Sequence, residues 1–311
     1  MRILCLHGYG TSPAILRHQL DAFIRAADPS YEFVFLEGEN ECPPARGIGP
    51  EAGPTLCYNL NLSPESVRSS IDLVDAFIES DGPFDGLLGF SQGGFLALSY
   101  LVDQAEAMAS DGPSAAAPSN PPFKFAVLLS SVAAFSPDPH YCGDLVSGLT
   151  AKDNEILQDF PFGIDDDDYA ALSPPQPERA IFFRSLGRLL STCVEGGFID
   201  PHGDLGVDAV KAPVTDETAS SLDDVPRMFN TSLVRPSQLI QIPTVHVTGR
   251  KDDPVLVGLS QSMETLCEPR LMRKMTHEGG HAPPRSARDI KTLVGNVEWA
   301  IREGLMLANT M

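Results

Sequence analysis

The chain carries the sequence GFSQG at residues 89–93, a G-x-S-x-G pattern that places a serine on a sharp turn between a strand and a helix. Glycine is needed two positions either side of the serine, because a side chain there would collide with the neighbouring strand and helix. The apolar residues Leu87 and Leu88 indicate a buried strand before the turn, and apolar residues at helical spacing follow it. The combination predicts that the Ser91 hydroxyl projects above a sheet and acts as a nucleophile.

A serine hydroxyl is a poor nucleophile until a histidine takes its proton and an acid orients that histidine. His281 is the preferred histidine, because Gly279 and Gly280 before it let the loop bend sharply after a predicted strand. His277 opens the same loop, and we interpret it as a residue that supports the turn.

The acid is expected on the turn that leaves the preceding strand, at the sheet edge where ligands bind in parallel α/β folds. The sequence there is GRKDDP, at residues 249–254. Asp252 fits the spacing G-x-x-D and is the first choice, whereas Asp253, directly before Pro254, is the alternative acid. The sequence leaves this choice open.

An oxyanion hole requires two backbone N–H groups directed at the negative charge that develops on the carbonyl oxygen. Gln92, the residue after the serine, is expected to supply one from the start of its helix. The loop after the first strand, with the sequence HGYG at residues 7–10, is expected to supply the other from Tyr9 or Gly10.

Strand and helix patterns alternate along the chain, which predicts an α/β fold with a mostly parallel central sheet and helices on both faces. About six strands are predicted, at residues 2–6, 31–36, 84–88, 125–132, 243–248 and 271–275. Helices are predicted after Ser12, after Ser63 and after Ser91, near residues 144–159, 178–195 and 256–267, and from Ser286 to Glu303.

Several stretches between these elements predict loops or an inserted segment. Residues 37–62 read as a long loop, and residues 103–122 as a helix end followed by a mobile surface loop. The regular alternation of strand and helix patterns is lost from about residue 136 to residue 241. This predicts a lid inserted into a single domain that spans residues 1–311. Four aspartates at 165–168 are interpreted as a solvated acidic turn. Aromatic residues of this lid are interpreted as core, with an acyl pocket as the alternative: Phe160, Phe162, Tyr169, Phe182, Phe183 and Phe198.

The 311 residues include 22 basic and 42 acidic side chains, for a formal charge of −20. This charge argues against nucleic acid or an anionic membrane as the main partner. No apolar stretch approaches the length of a membrane span, and the N-terminal apolar run stops at His7 with no cleavage site after it. The six cysteines lack metal-ligand spacings and are expected to be reduced, which together predicts a cytoplasmic protein.

These residues together resemble the fungal serine hydrolase (FSH) family of the α/β-hydrolase superfamily. The resemblance rests on residues 3–10, 35–38, 82–94, 249–253 and 279–281, of which 82–94 is the most specific segment. It implies the α/β-hydrolase fold, a Ser–Asp–His triad and hydrolysis of an ester or thioester. This reaction is expected to require no metal and no organic cofactor. The resemblance also implies a role in fungal secondary metabolism, since similar members release acyl chains from the carrier protein of a polyketide synthase.

Three functional hypotheses follow. The first is a hydrolase that releases or trims a polyketide-type product, with a small-molecule acyl ester or thioester as substrate and an acyl carrier protein as partner. The second is a general short-chain carboxylesterase with no protein partner. The third is a non-catalytic binding protein on a hydrolase scaffold, against which the apparent triad argues.

Overall fold

The computed structural model describes residues 1–110, 122–172, 177–199, 205–211, 219–229 and 238–309. The predicted mobile loop, from residue 111 onward, lies almost entirely outside the described residues, as do several parts of the predicted lid at 136–241. No helix within the described ranges is long and apolar enough to cross a membrane.

The strands of the described chain are β1 (Arg2–Leu6), β2 (Glu32–Leu36), β3 (Asn40–Glu41), β4 (Leu56–Cys57), β5 (Gly86–Phe90), β6 (Phe125–Leu129), β7 (Thr244–Gly249) and β8 (Met272–His277). Six of them form a parallel central sheet, in the order β2-β1-β5-β6-β7-β8. The predicted α/β fold with a mostly parallel sheet of about six strands is therefore confirmed.

Helices cover both faces of this sheet. The α-helices are α1 (Pro13–Gln19), α2 (Asp21–Ala26), α3 (Pro64–Asp81), α4 (Gln92–Ser110), α5 (Gly143–Val146), α6 (Ala151–Ile156), α7 (Asp166–Ala170), α8 (Pro177–Gly196), α9 (Pro254–Met263) and α10 (Ala287–Ala308). Helix α4 packs against β1, β5 and β6, whereas α10 packs against β6, β7, β8 and α2. The single helix predicted after Ser12 consists of two helices that meet at Leu20.

The core explains why the central strands are almost continuously apolar. Every residue of β5, β6 and β7 is buried, as expected for parallel strands covered on both faces. Val127 and Val245 share one hydrophobic cluster with Leu293 and Val297 of α10 and with Phe23 of α2. This core fixes the carboxyl ends of β5, β7 and β8 relative to one another.

The chain divides into two compact units. The first comprises residues 1–58, 71–134 and 231–311 and contains the central sheet, and the second comprises residues 59–70 and 135–230. Within the second unit, the ring of Phe183 packs edge-to-face against both Phe160 and Phe182. These three rings and Tyr169 are buried, whereas Phe162 is exposed.

Two predictions for the connecting segments are wrong in detail. The segment 37–62 is not a plain loop, because β3 and β4 pair antiparallel within it and Leu56 bridges to Thr11. Strands of two residues are too short to show an alternating pattern, so the sequence gives no signal for them. The four aspartates at 165–168 do not form an isolated surface turn. They form the N-cap and the first helical turn of α7, a position where the helix dipole favours negative charge.

Candidate active site

Ser91 lies between the last residue of β5 and the first residue of α4, with a backbone φ of 53°. A Cβ atom on Gly89 would overlap the carbonyl oxygen of Gly93, and one on Gly93 would overlap the carbonyl oxygen of Leu6. The Ser91 N–H donates to the carbonyl oxygen of Leu129 at 3.0 Å, which ties the turn to β6. The sheet and α4 therefore hold the serine in a left-handed conformation that costs about 1 kcal/mol or more for a residue with a Cβ.

His281 connects the serine to an acid. Its Nε2 lies 2.8 Å from Ser91 Oγ, and its Nδ1 lies 2.9 Å from Asp252 Oδ2. The side chain of Asp252 is 5% exposed and that of His281 is 15% exposed. Since an ionised carboxylate can only accept hydrogen bonds, this geometry assigns the imidazole proton to Nδ1 and leaves Nε2 to accept the serine hydroxyl.

The structure separates the two candidate acids by their partners. Asp253 is the N-cap of α9, and its Oδ1 accepts from the N–H of Val255 at 2.8 Å. Asp252 uses Oδ2 for His281, and its Oδ1 accepts from the N–H of Asp253 at 2.8 Å. Of the two, only Asp252 has a hydrogen bond to His281 in this structure.

His277 is buried at the end of β8, and its Nδ1 accepts from the N–H of Gly279 at 3.1 Å. Burial lowers the pKa of His277. The hydrogen bond that its ring accepts lies within its own turn, in agreement with the interpretation of this histidine as a support for the loop.

The loops that carry Asp252 and His281 are joined to each other. The Arg250 N–H donates to the carbonyl oxygen of His277, and the Lys251 N–H donates to that of Gly279, both at 2.8 Å. Parallel pairing of β7 and β8 thus continues past the ends of both strands. The sheet therefore positions the two side chains relative to each other as well as relative to β5.

The Gly10 N–H, one of the groups predicted to bind an oxyanion, is engaged within the protein. The Gly10 N–H donates to the carbonyl oxygen of Leu56 at 3.1 Å, because the loop after β1 pairs with β4. Tyr9 thus stays the candidate from this loop. Gln92 begins α4, where the helix dipole favours an anion. The loop is close to the serine, since a Cβ atom on Gly8 would lie 3.2 Å from Ser91 Cβ.

A buried hydrogen-bond network beneath this loop was not predicted. His7 is fully buried, its Nδ1 lies 2.8 Å from the carbonyl oxygen of Gly8, and its Nε2 accepts from the N–H of Gly38 at 3.1 Å. Thr11 Oγ1 donates to the same Gly8 oxygen at 2.6 Å. Burial lowers the pKa of His7 to about 4, so its imidazole is neutral near pH 7.

Tyr58 extends this network to the start of α4. Its hydroxyl accepts from the His7 N–H at 2.9 Å and donates to the carbonyl oxygen of Leu36 at 3.0 Å. Its own N–H donates to Gln92 Oε1 at 3.0 Å. The sequence offers one signal for this network, which is the position of His7 and Gly8 directly after the first strand. Thr11 and Tyr58 belong to no recognisable motif.

The chain is similar to a family of known proteins and to individual members of it. Residues 1–293 match the family model described as "Serine hydrolase (FSH1)". "Esterase alnB" of Emericella nidulans is 42% identical over 302 residues, which cover 97% of this chain and 96% of that protein. "Hydrolase FUB4" of Fusarium oxysporum is 33% identical over 294 residues and 92% of each chain. Among solved structures, alpha/beta hydrolase domain-containing protein 10 from mouse aligns over 97% of this chain and 90% of its own, with 12% identity and a TM-score of 0.47.

The family match spans nearly the whole chain, and two relatives exceed 30% identity over more than nine-tenths of it. The family resemblance that the sequence motifs predict is thus confirmed. The chain belongs to the FSH1 serine hydrolase family and is a serine hydrolase with the α/β-hydrolase fold.

Proposed function

We propose that the protein hydrolyses an acyl ester or thioester through a covalent acyl intermediate on Ser91. The observation that carries this proposal is the chain of two hydrogen bonds from Ser91 Oγ through His281 to Asp252, at 2.8 and 2.9 Å. Serine, histidine and carboxylate in this order are the groups that activate a hydroxyl as a nucleophile.

In the first half of the proposed reaction, Ser91 Oγ attacks the acyl carbon while His281 Nε2 takes the hydroxyl proton. Asp252 stabilises the imidazolium that forms. The N–H groups of Gln92 and Tyr9 donate to the oxygen of the tetrahedral intermediate. When that intermediate collapses, the bond to the leaving group breaks, and His281 delivers the proton to the departing alcohol or thiol.

In the second half, a water molecule takes the place of the leaving group. His281 removes a proton from this water as its oxygen attacks the acyl-Ser91 carbonyl carbon. Collapse of the second tetrahedral intermediate releases the carboxylic acid, and His281 returns the proton to Ser91 Oγ. The cycle restores the starting protonation state, and each step uses only groups of the triad and the two backbone amides.

For the substrate, we propose a polyketide-type acyl group, held either as an ester in a fungal secondary metabolite or as a thioester on an acyl carrier protein. The resemblance of residues 82–94 to the FSH family supports this class, and the identity to "Esterase alnB" supports ester cleavage. A general short-chain carboxylesterase is the second candidate, also supported by that relative. We also propose that residues 1–311 form a single domain with a lid at 136–241. The proposed location of the protein is the cytoplasm.

The test compares a polyketide-type acyl chain, presented as an N-acetylcysteamine thioester or as an ester, with short-chain p-nitrophenyl esters. The proposal expects turnover of the thioester or of a bulky polyketide ester with a higher kcat/KM than that of short p-nitrophenyl esters. Rates that are highest for p-nitrophenyl acetate would instead favour the general carboxylesterase.

A fluorophosphonate probe tests the nucleophile independently of substrate choice. We expect the probe to label Ser91 in the folded wild-type protein and to leave the S91A variant unlabelled. A folded wild-type protein that resists the probe, or an S91A variant with near wild-type hydrolysis, would contradict the proposed role of Ser91.

A further inference from the structure

The Gly8 carbonyl oxygen accepts hydrogen bonds from two side chains at once. Thr11 Oγ1 donates at 2.6 Å, and His7 Nδ1 lies at 2.8 Å. Both side chains are almost completely buried, with 0% exposure for His7 and 2% for Thr11. The orientation of this one carbonyl group is therefore fixed from inside the protein.

The donor role of His7 follows from its second ring nitrogen. Nε2 lies 3.1 Å from the N–H of Gly38, and a backbone N–H can only donate. Nε2 must therefore accept, which places the single proton of the neutral imidazole on Nδ1, facing Gly8. Burial lowers the pKa of His7 to about 4, so this neutral form persists across the physiological range.

The same peptide unit contains the Tyr9 N–H. A trans peptide is planar, and its C=O and N–H bonds point in opposite directions. Hydrogen bonds that hold the Gly8 oxygen toward His7 and Thr11 therefore hold the Tyr9 N–H away from them. The next peptide is also anchored, because the Gly10 N–H donates to the Leu56 carbonyl oxygen at 3.1 Å. Tyr9 thus lies between two peptide units of fixed orientation.

We propose that His7 and Thr11 are positioning residues that hold the Gly8–Tyr9 peptide with its N–H directed at the oxyanion of the reaction. This inference rests on the proposed hydrolytic function, with Tyr9 as an oxyanion donor. It is supported by the position of Gly8, whose Cβ, if present, would lie 3.2 Å from Ser91 Cβ. Neither side chain contacts the substrate in this proposal, and both act through the backbone.

The matched variants T11V and T11S test the hydroxyl. Valine keeps the branched shape and removes the donor, whereas serine keeps the donor and removes a methyl group. We expect T11V to lower kcat about 10- to 100-fold with little change in KM, since loss of an oxyanion donor costs about 100- to 1,000-fold and a loosened one costs less. T11S should keep most of the wild-type kcat.

A trifluoromethyl ketone analogue of the acyl chain supplies a readout that a purely structural role would not move. It forms a tetrahedral adduct with Ser91, so its Ki should rise in T11V by the same factor by which kcat/KM falls. The pH profile of kcat/KM should keep its shape, because His281 and Asp252 are unchanged. H7N and H7L provide a second pair, since asparagine can place an N–H near the position of Nδ1 and leucine cannot.

The outcomes separate this inference from the function on which it rests. An active wild-type protein with a folded T11V variant of unchanged kcat and Ki would overturn the positioning role and leave the hydrolase proposal intact. T11S as slow as T11V would overturn it as well, because packing rather than the hydroxyl would then matter. A wild-type protein with no turnover and no fluorophosphonate labelling would overturn both. If T11V does not fold, equal activity of folded H7N and H7L overturns the role, and a slower H7L supports it.

Discussion

Gly249 and Gly280 lie so close together that a Cβ atom on Gly249 would overlap the carbonyl oxygen of Gly280. Gly249 is the last residue of β7, and Gly280 lies in the loop that follows β8. The N–H of Lys251, in the loop after β7, donates to the carbonyl oxygen of Gly279 in the loop after β8. The loop with the proposed acid and the loop with the proposed base are therefore one packed structure. A change in one must displace the other.

This contact predicts that G249A lowers kcat by about 10-fold or more, because a small displacement of reacting groups has a large effect on rate. The added methyl group must push the Gly280 backbone away and move His281 relative to Ser91. G258A is the matched control, since a Cβ on the exposed Gly258 of α9 would meet no atom within 4 Å. Steady-state kinetics and thermal melts of both variants check this. Unchanged kcat in G249A would contradict the proposed coupling.

The hydrogen bonds of the neighbouring aspartates predict opposite results for two similar substitutions. D252N should lower kcat by about 10,000-fold, the cost of an amide in place of a triad acid, with little change in melting temperature. D253N should keep kcat, because asparagine also caps a helix and can still accept from Val255. Kinetics on one ester substrate would check both, and a slower D253N than D252N would reverse the assignment.

Two buried histidines predict a loss of stability in acid. Burial lowers the pKa values of His7 and His246 to about 4, from 6.5 in the unfolded chain. Between pH 6.5 and pH 4 the unfolded state therefore binds more protons, so the stabilisation is complete above pH 6.5 and falls as the pH drops toward 4. Each histidine contributes about 3 kcal/mol over this window, at about 1.4 kcal/mol per pKa unit.

Urea unfolding at pH 7.5 and pH 4.5 measures this loss. H246Q removes one titrating group and keeps a polar side chain near Thr244, the hydrogen-bond partner of His246 Nε2 at 3.2 Å. The free energy of unfolding of H246Q should depend less on pH than that of the wild type. An equal pH dependence in the two proteins would contradict a neutral buried His246.

A pair of thiols predicts selective alkylation. Cys57 ends β4 and Cys42 directly follows β3, and the two thiols form a hydrogen bond with each other. This bond lowers the pKa of the half-buried Cys42 and raises that of the buried Cys57. Since the thiolate is the reactive form, iodoacetamide near pH 7.5 should modify Cys42 much faster than Cys57.

Peptide mapping by mass spectrometry after short exposure to iodoacetamide gives the order of modification. C42S is the control, and it should leave Cys57 slow to react because that thiol stays buried. Modification of Cys57 before Cys42 would show that the assignment of the thiolate is reversed.

The sheet was largely predictable, because strands buried on both faces leave apolar runs in the sequence. The prediction for residues 2–6 has the same bounds as β1, and each of the other five predicted strands overlaps an observed one. The predicted ends of the strands were less accurate, because the backbone conformation of single residues decides where a strand stops. β6 stops at Leu129 instead of residue 132, because Ser130 has a φ of 45° and leaves the extended conformation. Such a backbone conformation at a serine has no signature in the sequence.

The candidate site was predictable only where a motif marks it. The turn around Ser91 and the glycines before His281 pointed to two residues that the structure brings within 2.8 Å of each other. The choice between Asp252 and Asp253 required the structure, because both adjoin the start of α9 and either could serve as its cap. Thr11 and Tyr58 were missed because neither belongs to a recognisable motif, and Tyr58 also lies in the segment 37–62, which read as a plain loop.

The conformation of Ser91 has a consequence for the evolution of stability. A glycine at position 91 would adopt a φ of 53° without strain, so S91G should produce a protein that resists heat better than the natural one and turns over nothing. Selection for thermal stability alone would replace this serine with glycine. Its presence in the chain indicates that selection for catalytic activity has outweighed selection for stability at this position.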